Sequence, residues 1–270
     1  MSRSSQFKRK VCGDAVLCVA IFYTFVAMKH FGLIGYPLGH SASAAYFTDK
    51  FSRESIDAQY TLYEIENITA LDSIKGGLSG FNVTIPYKKA VIPYLATISP
   101  EAEAIGAVNC VKVDSKGLLH GYNTDAVGIR ATLSPYDLCG QRAIILGTGG
   151  AAAAVKYVLQ EIGMEATTVS RRSAEGVLCY SDITEELIAS VRLIVNATPV
   201  GMFPNIDNAP LLPYHAVGKN HILFDLIYNP AQTRFLALGA AQGATTIGGG
   251  EMFRRQAEAS WEIWSAKDEF

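Results

Sequence analysis

Long hydrophobic runs are scarce in this chain. One apolar stretch, Ala15 to Met28, covers 14 residues and is interrupted by Thr24. That is short of the roughly 20 residues a membrane-spanning helix needs. Cysteine is also sparse, at positions 12, 18, 110, 139 and 179. An odd number without a CxxC spacing implies no disulfide framework. Charge of one sign is missing too. The net charge of −2 leaves no basic surface suited to nucleic acid. No internal repeat or low-complexity tract is present. What remains is a globular composition, 49% hydrophobic and 18% charged over 270 residues, enough for one large domain or two modest ones.

The first 27 residues differ from the rest. Arg3, Lys8, Arg9 and Lys10 precede the apolar stretch, and without residues 1–27 the net charge becomes −5. A secretion signal, a weak membrane anchor and an upstream extension before a working start at Met28 all fit such a leader. Phe25, Val26 and Ala27 lack the small-x-small pattern of a cleavage site. Glycosylation sequons fall at Asn67, Asn82 and Asn196, and export would damage any working residue among them. The expectation is a cytoplasmic protein that starts at Met28, with no membrane partner.

From Met28 the chain alternates strand-like and helix-like segments. Strands are expected near 30–35, 60–66, 81–86 and 108–113, with another before Asp125. Helical spacing covers 40–56, with Ser41 or Ser43 as its cap, and again 68–78 and 101–107. A second rhythm begins at Gln141: strand, glycine turn, helix, then strands near 165–170, 193–202 and 221–230 and a fifth within 244–252. A long amphipathic helix with Trp261 and Trp264 closes the chain. Strands alternating with helices predict parallel βαβ units. The fold class is therefore α/β with two domains, an N-terminal α/β domain and a doubly wound Rossmann domain, separated by a cleft. The expected division is a leader at 1–27, a substrate domain at 28–127, a dinucleotide domain at 128–249, and a helix at 250–270 that returns to the first domain.

The segment AIILGTGGAAAAV is the most specific local signal. Gly147, Gly149 and Ala152 fit G-x-G-x-x-A between a strand and a helix. Gly147 permits the tight turn, Gly149 lets backbone approach a pyrophosphate, and Ala152 allows close helix packing. Gly150 and Ala151 open a helix whose N-terminus favours phosphate. Where an NAD site carries an acidic residue after the second strand, this chain has Ser170, Arg171 and Arg172. Guanidiniums suit a 2′-phosphate, so the expected cofactor is NADP.

The segment NVTIPYKK ends a β-branched run on Lys88 and Lys89. A nicotinamide enzyme that reduces a carbonyl needs a proton donor at the oxygen, and a lysine in a dry cleft can serve. Asp125, in GYNTDAVG, is the carboxylate that could orient it. Each residue also has an ordinary use: lysines are usually solvated, Asp125 could cap a helix starting at Ala126, and Asn82 and Asn109 could be turn or edge residues.

Together the motifs GLIGYPLGHSAS, GFNVTIPYK, GAVNC, GYNTDAVG, LGTGGAA, NATPVGM, DLIYNPAQT and GGGEM…QAEASWEIW span nearly all of residues 28–264. In that order they resemble the shikimate dehydrogenase family. The resemblance implies Lys88 and Asp125 as the catalytic pair. It implies Ser41 and Ser43, with Tyr228, at a substrate carboxylate. Asn82, Thr84, Asn109 and Gln256 would meet ring hydroxyls or the catalytic pair. Thr198, Met202, Gly249 and Met252 would lie on the nicotinamide side, and Lys89 is left as a surface neighbour. The implied reaction is NADPH-dependent reduction of 3-dehydroshikimate to shikimate, by a monomer or homodimer that holds no metal. A quinate-accepting or NAD-using relative, and a non-catalytic ligand sensor, are the other readings. Ser170-Arg171-Arg172 and the Arg254-Arg255 pair of the last helix depart from the family pattern.

Overall fold

Residues 28–39 and 41–267 are described in the structure, a computed structural model. The leader at 1–27, and the readings placed on it, lie outside the described residues.

Two six-stranded sheets divide the described chain. The first contains β1 (Lys29–Gly35), β2 (Ala58–Glu64), β3 (Gly80–Val83), β4 (Thr97–Ile98), β5 (Cys110–Val113) and β6 (Leu119–Tyr122) in the order β2-β1-β3-β5-β6-β4. β1 pairs in parallel with β2 and β3, whereas β5 runs antiparallel to β3 and β6. Helix α1 (Ser43–Arg53) joins β1 to β2, the short α2 (Leu71–Ile74) precedes β3, and α3 (Pro100–Ile105) precedes β5. The last five residues of β1 are buried without alternation, as a central strand covered on both faces requires.

Helix α4 (Asp125–Leu133) leads to the second sheet. Its strands are β7 (Arg142–Leu146), β8 (Glu165–Ser170), β9 (Val177–Cys179), β10 (Leu193–Asn196), β11 (Ile222–Asp225) and β12 (Thr245–Ile247). Their order, β12-β11-β10-β7-β8-β9, is all parallel and doubly wound. Helices α5 (Gly150–Glu161), α6 (Glu185–Ala189) and α7 (Arg234–Ala241) supply crossovers, and α8 (Gly250–Ser265) ends the fold. β10 and β11 are buried throughout, and β7 is buried after Arg142. The edge strands β9 and β12 are only partly covered.

Sequence reading expects five strands here, and β9 is the sixth. It is three residues long, follows Gly176, and joins the sheet at its edge beside β8, so its apolar signal is short. A second correction concerns α1. Its N-cap is Ala42, with no side-chain bond, while the Ser41 hydroxyl accepts from the Ser43 amide at 3.2 Å.

Helix α8 packs back on the first sheet. Trp264 donates to the Val111 carbonyl at 2.9 Å and stacks on Phe31 with ring centroids 4.8 Å apart. Phe47, Phe51, Tyr60 and Ala257 complete this layer. Burying each of the phenylalanines stabilises by about 1.5–3 kcal/mol. On the other side, Met252 is buried against Gly128 of α4, within a core shared with Ile129, Ala152 and Val155. The two sheets are thus joined through α4, α5 and α8.

Candidate active site

The glycine turn follows β7. Gly147 has φ +117°, where other residues are strained, and a Cβ there would lie 3.0 Å from the Ala197 carbonyl oxygen and 3.2 Å from Thr198 Cγ2. The turn therefore seats against the loop after β10. Gly149 caps α5 with no side-chain bond, so the leading N–H groups at Gly150, Ala151 and Ala152 have no side-chain partner. Ala152 is buried in the core beside β7. Ser170 ends β8, and Arg171 and Arg172 follow it, exposed and without an ion pair among the described residues. Unclaimed backbone donors at the head of a 12-residue helix, with two unpaired guanidiniums at the next strand end, fit a dinucleotide bearing a 2′-phosphate.

Lys88 lies in the loop after β3, and Asp125 is the first residue of α4. Lys88 Nζ donates to Asp125 Oδ2, with the two side chains 13% and 6% exposed. Asp125 is not a cap, as the alternative reading supposed. Asn123 Oδ1 takes the Ala126 amide at 3.2 Å, leaving the Asp125 carboxylate for Lys88 in the first helical turn, where the dipole favours negative charge. Asp125 Oδ1 accepts from Asn109 Nδ2 at 2.8 Å, and Asn109 Nδ2 also reaches Thr124 Oγ1 at 3.0 Å. Asn109 Oδ1 accepts from the Thr124 amide at 2.6 Å. The Lys88 carbonyl is held by the Val108 amide at 2.8 Å. Lys89 is exposed.

Both amides are buried: Asn82 lies within β3, whereas Asn109 sits in the bend just before β5. Asn82 Oδ1 accepts from the Tyr60 hydroxyl at 2.9 Å, and Nδ2 donates to the Asn109 carbonyl at 3.2 Å and to Ser260 Oγ at 2.9 Å. Thr124 Oγ1 lies 3.1 Å from Ser260 Oγ and 3.5 Å from Gln256 Oε1. Gln256 Nε2 donates to the Phe253 carbonyl at 2.9 Å. Thr84 follows β3, its methyl against the Gly35 backbone. Ser41 and the buried Ser43 open α1, and the Tyr228 hydroxyl accepts from the Ala42 amide between them at 3.5 Å. Tyr228 comes from the loop after β11, so both halves of the chain meet there. Its ring lies tilted against Phe253 of α8, centroids 4.6 Å apart.

The remaining positions spread more widely. Thr198 touches the Gly147 turn, Met202 is 44% exposed in the loop after β10, and Gly249 caps α8. Met252 is in the α4–α8 core. Arg254 and Arg255 both pair with Glu251 and face solvent, which explains that departure without any effect on packing. Cavities of about 290 Å³ beside α1 and β2 and about 240 Å³ beside α7 are lined by neither Lys88 nor Asp125.

Five residues here escaped the sequence reading. Tyr60 and Ser260 hold Asn82. Asn196, Asp225 and Thr233 form a buried network: Asn196 Nδ2 donates to Asp225 Oδ1 at 3.1 Å, and Thr233 Oγ1 donates to Asp225 Oδ2 at 2.6 Å. Asn196 Oδ1 also accepts from the Thr198 hydroxyl and amide, at 2.6 and 3.1 Å, and Asp225 Oδ1 from the Ile227 amide at 3.0 Å. These bonds fix the loops carrying Thr198 and Tyr228. The available signal was polar residues ending apolar strands in NATPVGM and DLIYNPAQT. The buried amides of Asn82 and Asn196 also leave no room for a glycan at those sequons.

The chain is similar to known proteins in sequence and in fold. Residues 33–111 match the family model of the shikimate dehydrogenase substrate binding domain. The chain is 33% identical to the NADP⁺ shikimate dehydrogenase of Caldanaerobacter subterraneus subsp. tengcongensis, over 88% of this chain and 92% of that one. Among solved structures it is similar to the Thermus thermophilus shikimate 5-dehydrogenase in complex with NADP(H) and shikimate, at 32% identity and TM-score 0.78, over 88% of this chain and 94% of that one. The 5-ketofructose reductase of a Gluconobacter strain is also similar, at 29% identity and TM-score 0.78, over 90% and 94%.

Proposed function

The chain belongs to the shikimate dehydrogenase family, and from that premise we propose that it reduces 3-dehydroshikimate reversibly to shikimate with NADPH, a step toward chorismate and the aromatic amino acids. The observation that carries this reading is the Lys88–Asp125 pair, largely buried and braced by Asn109, beside the glycine turn.

Gly147, Gly149 and the head of α5 would hold the pyrophosphate, Arg171 and Arg172 the 2′-phosphate, and Thr198 with the Met202 loop the nicotinamide side. Bound NADPH supplies the hydride. Lys88 gives its proton to the substrate oxygen as negative charge develops there, and takes it back in the reverse direction. Asp125 keeps the ammonium aimed, and Asn109 keeps Asp125 aimed. Ser41, Ser43 and Tyr228 supply hydroxyl donors for a carboxylate. Asn82, Thr84 and Gln256 bring amides and a hydroxyl to a ring rich in hydroxyls, where an unpaired buried group would cost about 1–3 kcal/mol. The likeness to a 5-ketofructose reductase means that these polar groups, rather than the fold, select the substrate.

Residues 28–127, 128–249 and 250–270 act in this reading as substrate domain, dinucleotide domain and returning helix. The thiols of Cys110, Cys139 and Cys179 are free, in keeping with the cytoplasmic placement we assign. The test is NADP⁺ reduction by shikimate, with quinate and NAD⁺ as alternatives. Lys88→Ala should lower kcat by at least 10²-fold while NADPH affinity stays within about threefold. Turnover surviving in Lys88→Ala would remove the assigned role.

A further inference from the structure

Ser260 lies one turn beyond Gln256 on α8 and is fully buried. It has one proton to give. The Gln256 carbonyl, 2.9 Å from Ser260 Oγ, can only accept, so the proton goes there. The lone pairs of Ser260 are left for Asn82 Nδ2 at 2.9 Å and the Thr124 hydroxyl at 3.1 Å. The buried Cys110 thiol is a further neighbour of Ser260.

This fixes which way the Asn82 amide faces. Its Nδ2 is set against two acceptors, the Asn109 carbonyl and Ser260 Oγ, while Oδ1 takes the Tyr60 hydroxyl. A flipped amide would press oxygen against the Asn109 carbonyl oxygen. With both donors committed, only the second lone pair of Oδ1 remains for a ligand. Asn82 can then receive a hydroxyl but repels a carbonyl oxygen.

We propose that Ser260 is a positioning residue that holds Asn82 as a hydrogen-bond acceptor, so that this corner of the site recognises a ring hydroxyl and rejects a ketone. The proposal deepens the function given above and rests on it for the identity of the ligand. Removing the Ser260 hydroxyl frees one N–H of Asn82 and lets the amide swing and donate. Thr124 is affected less, because its hydroxyl still has Asn109 Oδ1 at 3.2 Å.

The test uses the full chain and Ser260→Ala, with two readouts. The first needs no substrate: hydrogen exchange of the Asn82 side-chain amide by NMR, assigned by its loss in Asn82→Asp. The pair should exchange slowly in the parent and at least tenfold faster in Ser260→Ala. The second is kinetic. KM for shikimate should rise about 3- to 10-fold, the worth of one hydrogen bond, while kcat and KM for NADP⁺ stay within twofold. General loosening of the fold would move both KM values together. An Asn82 amide unmoved by Ser260→Ala overturns the proposal whatever the kinetics. A loosened amide with an unchanged shikimate KM in an active enzyme overturns its role in recognition. A parent inactive with shikimate, in which the amide still loosens, sinks the shikimate assignment and upholds the Ser260–Asn82 link. Should Ser260→Ala fail to fold, Ser260→Cys keeps nearly the volume with a weak acceptor and carries the same comparison.

Discussion

Gly150→Ala should separate stability from catalysis in this protein. Gly150 is the first residue of α5, and alanine in a helix is favoured over glycine by up to about 1 kcal/mol. On propensity alone the substitution is neutral or stabilising. The added Cβ, however, would lie 2.9 Å from Lys88 Cβ, 3.2 Å from Lys88 Cδ and 3.3 Å from Ala107 Cβ. Carbon atoms settle at about 3.5–4.0 Å, so the gap must open by roughly 0.6–1 Å. The nearest atom is Lys88 Cβ, anchored to a backbone that the Val108 amide already holds. Either the glycine turn or the Lys88 segment must move, and the proposed reaction uses both. A displacement near 1 Å between reacting groups costs on the order of 10²-fold in rate. The assay is initial-rate NADPH formation at saturating shikimate and NADP⁺, alongside urea unfolding. The expected result is a kcat lowered about 10- to 100-fold with unfolding free energy within about 1 kcal/mol of the parent. A kcat equal to the parent's would refute the claim that the turn and the lysine are packed tightly enough to be coupled.

Two further predictions concern the dinucleotide half. Arg171→Ala should raise KM for NADP⁺ about tenfold or more and leave KM for NAD⁺ within twofold, since only the former offers a 2′-phosphate; steady-state kinetics with both cofactors checks it, and equal effects would move the phosphate site elsewhere. Burial pushes the Asp225 carboxyl up to about 6 from an ordinary 3.8, against the opposing pull of Thr233, the Ile227 amide and Asn196. The folded state thus holds this proton more tightly than the unfolded chain, so the contribution of Asp225 is fully present below pH 3.8 and is lost as pH rises through about 6, by roughly 3 kcal/mol. Asp225→Asn keeps an acceptor for Ile227 and Asn196 and can donate to Thr233. The stability of the parent relative to this variant should therefore fall by that amount between about pH 4 and pH 7 in denaturant titrations, and a flat difference would contradict the buried, charged carboxylate.

The glycine turn was legible because it is local: strand, turn and helix fall within β7 and α5, and the φ of Gly147 is a demand that one residue type answers. The central strands were legible because β10 and β11 are covered on both faces and read as unbroken apolar runs. β9 was not, since three edge residues acquire strand character only from β8 beside them. Nor did sequence decide between Asp125 as helix cap and as partner of Lys88. The pair is separated by 37 positions, and the choice depends on the helix starting at Asp125 itself, with Thr124 in the N-cap position.

By itself the sequence determined the residue types and the order of the motifs, and hence the fold class, the glycine turn and the supply of lysine, carboxylate, amides and hydroxyls. Only the tertiary structure decided how those groups face one another. Asn82 is oriented by Ser260 from 178 positions away, and Tyr228 reaches Ala42 across 186. A hydrogen bond is directional over a few ångströms, and no pattern along the chain carries that direction until α8 folds back onto the first sheet.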